Sequence, residues 1–84
     1  TVEIYAQRLK ELENIANSFD WVNKAYAIQA GRELRIIVNP ENITDLESKK
    51  LSLDIARQIE TSMTYPGQVK VNVIREVRFA GYAK

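Results

Sequence analysis

Two sets of side chains in this chain of 84 residues have types and spacings that could do chemistry, one acidic and one basic. Asp45, Glu47, Asp54 and Glu60 fall in one stretch with helical periodicity. Carboxylates can hold Mg²⁺ or work as an acid–base pair, but only when their oxygens converge on one point. At these spacings Asp45 and Glu47 are accounted for by a helix N-terminus, where negative charge is favoured. Asp54 and Glu60 read as solvated surface. The basic set is Arg32, Arg35, Lys70, Arg75 and Arg78. If the strands that carry them are neighbours, they form a shallow patch able to contact a phosphate backbone. Ordinary surface charge that protects sheet edges explains the same residues.

What is missing narrows the chemistry further. The chain has no histidine and no cysteine. It therefore offers no imidazole base, no Ser–His pair, no histidine- or thiolate-ligated metal and no disulfide framework. No catalytic residue, metal ligand or cofactor site is expected. The net charge is +1, from 12 basic and 11 acidic residues, so there is no global attraction to nucleic acid or to anionic lipid. No apolar run approaches the roughly 20 residues of a membrane helix, and no contact of these residues with a membrane is expected. The chain does not open on methionine. It reads as a single domain, residues 1–84, taken from a larger protein.

The elements that must position these residues follow from apolar periodicity. Tyr5, Leu9, Leu12, Ile15, Ala16 and Phe19 recur at spacings of three and four, which predicts a helix over residues 2–18. VNKAYAIQ and LRIIV alternate in pairs around AGRE, which predicts an antiparallel hairpin with Gly31 at positive φ. Val22, Tyr26 and Ile28 are expected on its inner face, with Lys24 interrupting the apolar row. Asn23, Ala25, Ala27 and Gln29 are expected on its outer face. Thr44 to Glu47 forms a capping box. Leu51, Ile55, Ile59 and Met63 follow at intervals of four, predicting a second helix over residues 45–62. Tyr65-Pro66-Gly67 stops it, and Val69, Val71 and Val73 share one face of a third strand that Val77 and Phe79 extend. Trp21 and Tyr65 are expected to plug the corners under the helices.

The order α-β-β-α-β, with one apolar face per helix, predicts an α+β two-layer sandwich. A three-stranded sheet carries both helices on one face, as in a ferredoxin-like unit lacking its first strand. The third strand is expected to run parallel to one hairpin strand. The other sheet face is expected to show Ala25, Ala27, Ile37 and Ile74, a small apolar surface suited to protein docking. No aromatic residue is expected there, which argues against stacking of bases. An RNA-backbone contact through Arg32, Arg35, Lys70 and Arg75 is the alternative, and a ligand-sensing ferredoxin-like module is a third.

Particular runs carry a resemblance to a family. AYAIQAGRELRIIV (residues 25–38), DLE (45–47), DIARQIE (54–60), YPGQVKVNVIRE (65–76) and the terminal YAK resemble the C-terminal region of bacterial ribonuclease Y. RLKELENIANSF (residues 8–19) fits the same pattern, and VRFAGYAK departs from it at Val77 and at residues 79–81. The resemblance implies a parent with an N-terminal membrane anchor, a coiled coil, a KH domain and an HD phosphodiesterase domain that uses a divalent metal. It implies an endoribonuclease that initiates mRNA decay on the cytoplasmic side of the cell membrane. It carries no catalytic or metal residue onto this chain, because an HD centre needs histidine. It implies instead a non-catalytic C-terminal accessory domain. The partners it suggests are the parent's HD domain, a second copy of the chain, or proteins of RNA decay.

Overall fold

The computed structural model describes residues 1–84. Helix α1 (Val2–Asn17) leads to strand β1 (Val22–Ile28), a single 3-10 turn (Gln29–Gly31) and strand β2 (Glu33–Val38). Helix α2 (Asp45–Ser62) and strand β3 (Lys70–Arg75) complete the chain, with residues 76–84 irregular.

Helix α1 begins where the Thr1 hydroxyl accepts the Ile4 N–H at 3.3 Å. Leu12 and Ala16 are fully buried, and Leu9, Ile15 and Phe19 flank them half-buried. Tyr5, expected in the same stripe, is exposed. Leu9 already lies against the hairpin turn at Gly31, so the preceding turns run past the end of the sheet. Helix α2 starts on the expected capping box: Glu47 N–H donates to the Thr44 hydroxyl at 3.1 Å, and Thr44 N–H donates to the Glu47 carboxylate at 2.9 Å. Donation to the carboxylate by the Thr44 backbone N–H, and secondarily by its hydroxyl, favours the charged form and lowers the Glu47 pKa. Leu51, Ile55 and Ile59 form its buried stripe.

The sheet order is β1-β2-β3, with β1 antiparallel and β3 parallel to β2. Strand β3 is therefore a direct neighbour of the strand from which α2 departs, an unsplit βαβ unit. Helix α1 lies mainly on β1 and α2 on β3, both on one face, and the central strand runs beneath the seam. Leu34, Ile36 and Val38 of β2 are completely buried there with Ile55 and Leu12. Each such side chain contributes about 1.5–3 kcal/mol of burial. The expected two-layer α+β architecture is what the chain forms.

The hairpin turn is tighter than its glycine alone suggests. Gln29, Ala30 and Gly31 all have positive φ (52°, 58° and 81°). The Tyr65 hydroxyl donates to the Gly31 carbonyl at 3.0 Å, so Tyr65 does plug its corner. Trp21 does not: it sits at φ 73° at the end of α1 with its ring more than half exposed. Val77 and Phe79 do not prolong the third strand either. The Glu76 N–H makes the last bond to Val38, at 3.0 Å, and Val77 and Phe79 stand in water.

Candidate functional site: the uncovered sheet face and the tail

One irregularity decides which residues reach the uncovered face. Val22 pairs with Val38 and Lys24 with Ile37, so two steps on β1 match one step on β2. Asn23 is the extra residue of a β-bulge. An insertion of one residue exchanges the two faces for everything beyond it. Ala25 and Ala27 therefore pair with Ile36 and Leu34 and pack against the core beneath the helices. Their expected place on the uncovered face is corrected accordingly. Lys24, Tyr26 and Ile28 take that place, opposite Ile37, Arg35 and Glu33. The signal in the sequence was Lys24, a charge in a row read as inward-facing.

Strand β3 completes the face. Lys70, Asn72 and Ile74 pair with Glu33, Arg35 and Ile37. Three rows thus cross the sheet: Ile28–Glu33–Lys70, Tyr26–Arg35–Asn72 and Lys24–Ile37–Ile74. Ile37 and Ile74 are on this face as expected, but Ile37 is only 8% exposed and Ile74 is half-buried. An aspartate at Ile37 would bury an unpaired carboxylate and report on folding rather than docking. The small apolar surface expected here is reduced to little more than Ile28 and Ile74.

Glu33 organises the polar part of the face. It is 5% exposed, and its carboxylate accepts from the Arg35 guanidinium at 3.1 Å and the Asn72 amide at 3.5 Å. A buried carboxylate is stable only with such partners. Glu33 passed unnoticed in the sequence because its register in AGRE gave no hint of burial. Tyr26 is 39% exposed, an aromatic ring on a face expected to carry none. In the tail, Arg78 pairs with Glu76 at 2.6 Å, which raises its pKa, and it lies within electrostatic reach of the Tyr26 phenol.

The four cations expected to act together are divided. Arg32 lines an open groove of about 850 Å³ beside the end of α2, with Glu60, Tyr65 and Gln68 on its walls; Lys70 borders that groove from the start of β3 but pairs opposite Glu33 on the uncovered face. The Lys70 N–H also donates to the Arg32 carbonyl at 2.8 Å. Arg35 lies on the uncovered face. Arg75 belongs to neither group. It follows Val71 and Val73 on the helix side, where its guanidinium binds the Ile43 carbonyl at 3.0 Å, the Pro40 carbonyl at 3.1 Å and the Asp45 carboxylate. It is a clamp between β3, the 39–44 loop and the start of α2, which corrects its expected place in the basic patch.

No group of three or more acidic side chains converges to hold a metal ion. With histidine and cysteine also absent, the residues present do not fit an HD-type metal centre. No helix is long and apolar enough to cross a membrane. The two most exposed large apolar side chains lie in the tail, Phe79 at 94% and Tyr82 at 88%, with Val77 also exposed; Val2 at the start of α1 follows them.

Comparison with known proteins places the chain. It is 56% identical over all 84 residues to ribonuclease Y of Acetivibrio thermocellus. The chain belongs to the ribonuclease Y family. It is also 58% identical over 84 residues to ribonuclease Y of Syntrophomonas wolfei, and 52% to that of Fusobacterium nucleatum. Each match takes in the whole chain but only 16% of the relative's length, consistent with a C-terminal domain of ribonuclease Y. No protein-family model matches the chain. No solved structure matches it either.

Proposed function

We propose that the chain is a non-catalytic accessory domain of a ribonuclease Y-like endoribonuclease that initiates mRNA decay, and that its work is docking. The observation that carries this reading is the tail, where Phe79 and Tyr82 stand almost wholly in water beside Val77. Large apolar side chains held in water within six residues of one exposed segment supply a contact surface once a partner gathers them. The partner is the rest of the same polypeptide. The chain matches about a sixth of the length of its relatives, and a covalent tether holds a docking domain at roughly millimolar effective concentration, so modest contacts suffice. In this reading cleavage belongs to a divalent-metal phosphodiesterase domain elsewhere in the parent. An N-terminal anchor holds the whole on the cytoplasmic side of the membrane. A second copy and proteins of RNA decay are competing partners for the same surface.

The test supplies the 84-residue chain in trans to the remainder of the parent polypeptide and measures association by calorimetry. Phe79→Asp with Tyr82→Asp is expected to weaken association by about 30-fold or more, as for the central residues of an interface. Equal binding by both proteins, or no binding by either when the partner is supplied at about millimolar concentration, removes the tail as a docking element. Self-association of the chain that the double variant abolishes would assign the surface to a second copy.

A further inference from the structure

We propose that the uncovered sheet face binds single-stranded RNA, with Tyr26 as the stacking platform and Lys24, Arg35 and Lys70 as phosphate contacts. The choice of RNA rests on reading the chain as part of a ribonuclease. The face itself rests on geometry that the bulge at Asn23 creates.

The row Tyr26–Arg35–Asn72 crosses all three strands, a span of about 10 Å between its outer Cα atoms at ordinary strand spacing. It places an aromatic ring, a guanidinium plane and a carboxamide side by side. Those are the three groups that take unpaired bases: rings and guanidinium planes stack on them, and amides bond their edges. Glu33, in the neighbouring row of the same face, bonds both Arg35 and Asn72. These bonds hold the two side chains at the surface, so a ligand meets them already ordered. The Arg35 side chain remains 43% exposed despite its ion pair.

Charge complementarity points to a polyanion. Lys24 and Lys70 stand exposed at opposite corners of the face, on β1 and on β3. Arg35 lies at its centre. The carboxylates here are already engaged, Glu33 by Arg35 and Asn72, and Glu76 by Arg78. Glu33 is also nearly inaccessible. The whole chain is close to neutral at +1, so the excess of charge on this face, from the unpaired Lys24 and Lys70, is local. Apolar exposure here is small, with Ile37 buried and Ile74 half-buried. A protein docking site of ordinary size would need a larger apolar centre.

The test uses the 84-residue chain and a fluorescein-labelled single-stranded RNA of about a dozen nucleotides, with affinity read by anisotropy across a salt series. Binding should weaken with salt at a log–log slope of about −0.7 for each phosphate contacted. Tyr26→Ala should weaken it by about 5- to 100-fold, and Tyr26→Phe should restore it, since stacking needs the ring and not the hydroxyl. Lys24→Ala should reduce the salt slope by one contact, whereas Lys10→Ala on the exposed side of α1 should leave it unchanged. Circular dichroism of each variant confirms the fold. Tyr26 is a surface side chain, so its replacement leaves the core intact. Absence of binding at low salt overturns the proposal. So does binding that Tyr26→Ala leaves intact, which would be diffuse charge attraction. Loss of parent assembly in Tyr26→Ala without RNA binding would assign the face to protein and overturn it as well. The uncharged tail variant Phe79→Ser with Tyr82→Ser separates the two readings: it should weaken docking in trans and, adding no negative charge, retain RNA binding.

Discussion

Replacing Gly31 by alanine tests the turn that sets the hairpin register, and its cost can be worked from the structure. Gly31 has φ +81°, a conformation that disfavours an L side chain by about 1–2 kcal/mol. A Cβ there would lie 2.1 Å from the Tyr65 hydroxyl oxygen and 2.8 Å from Leu9 Cδ2. The tyrosine must move, which breaks its bond to the Gly31 carbonyl and adds about 1 kcal/mol. Leu9 must also yield, against the base of α1. Together these terms come to about 2–4 kcal/mol, against a total of about 4–12 kcal/mol for a domain of this size. The midpoint of thermal unfolding should fall by roughly 10–30 °C. Urea unfolding of four proteins checks the origin of the effect: wild type, Gly31→Ala, Tyr65→Phe and the double variant. Tyr65→Phe removes the atom at 2.1 Å, leaving the next ring contact at 3.5 Å. Gly31→Ala should therefore cost about 1 kcal/mol less in that background. A cost under about 0.5 kcal/mol, or one identical in both backgrounds, refutes the reasoning.

Two further outcomes concern the start of α2. Thr44→Ala removes the cap and should cost about 1 kcal/mol by denaturant titration. Because the folded-state pKa of Glu47 is lowered, its contribution relative to Glu47→Gln is full at neutral pH. The difference between the two proteins should close as pH falls below 4.5, its ordinary value, and through the lowered one. Arg75→Ala frees the Ile43 and Pro40 carbonyls and should destabilise the chain by about 1–3 kcal/mol. Most of that comes from the two carbonyls, since Asp45 is 90% exposed and its ion pair is screened. The same variant should leave RNA affinity unchanged, which distinguishes a clamp from a phosphate contact.

The amino-acid sequence by itself determined the elements and the layers. The capping box at Thr44 and the four-residue repeat of Leu51, Ile55 and Ile59 set α2 at the bounds it has, residues 45–62. These are local signals, and helix formation answers to local signals. The alternation of Leu34, Ile36 and Val38 likewise marked the buried side of β2, because that strand is regular along its length. The runs around YPGQVKV were enough to place the chain in its family. Only the tertiary structure decided which residues face outward. Strand faces depend on parity counted from a pairing partner, and one unpaired residue, Asn23, reverses the count. That step moved Ala25 and Ala27 into the core and Tyr26 out of it. The division of the cations had a similar cause. Arg75 is two residues beyond Val73 and shares its face, but whether a long side chain at a strand end meets solvent or backbone depends on what folds beside it. Here the 39–44 loop supplies two carbonyls that need a donor, so Arg75 turns inward and Tyr26, Arg35, Asn72 and the lysines are left to meet a partner.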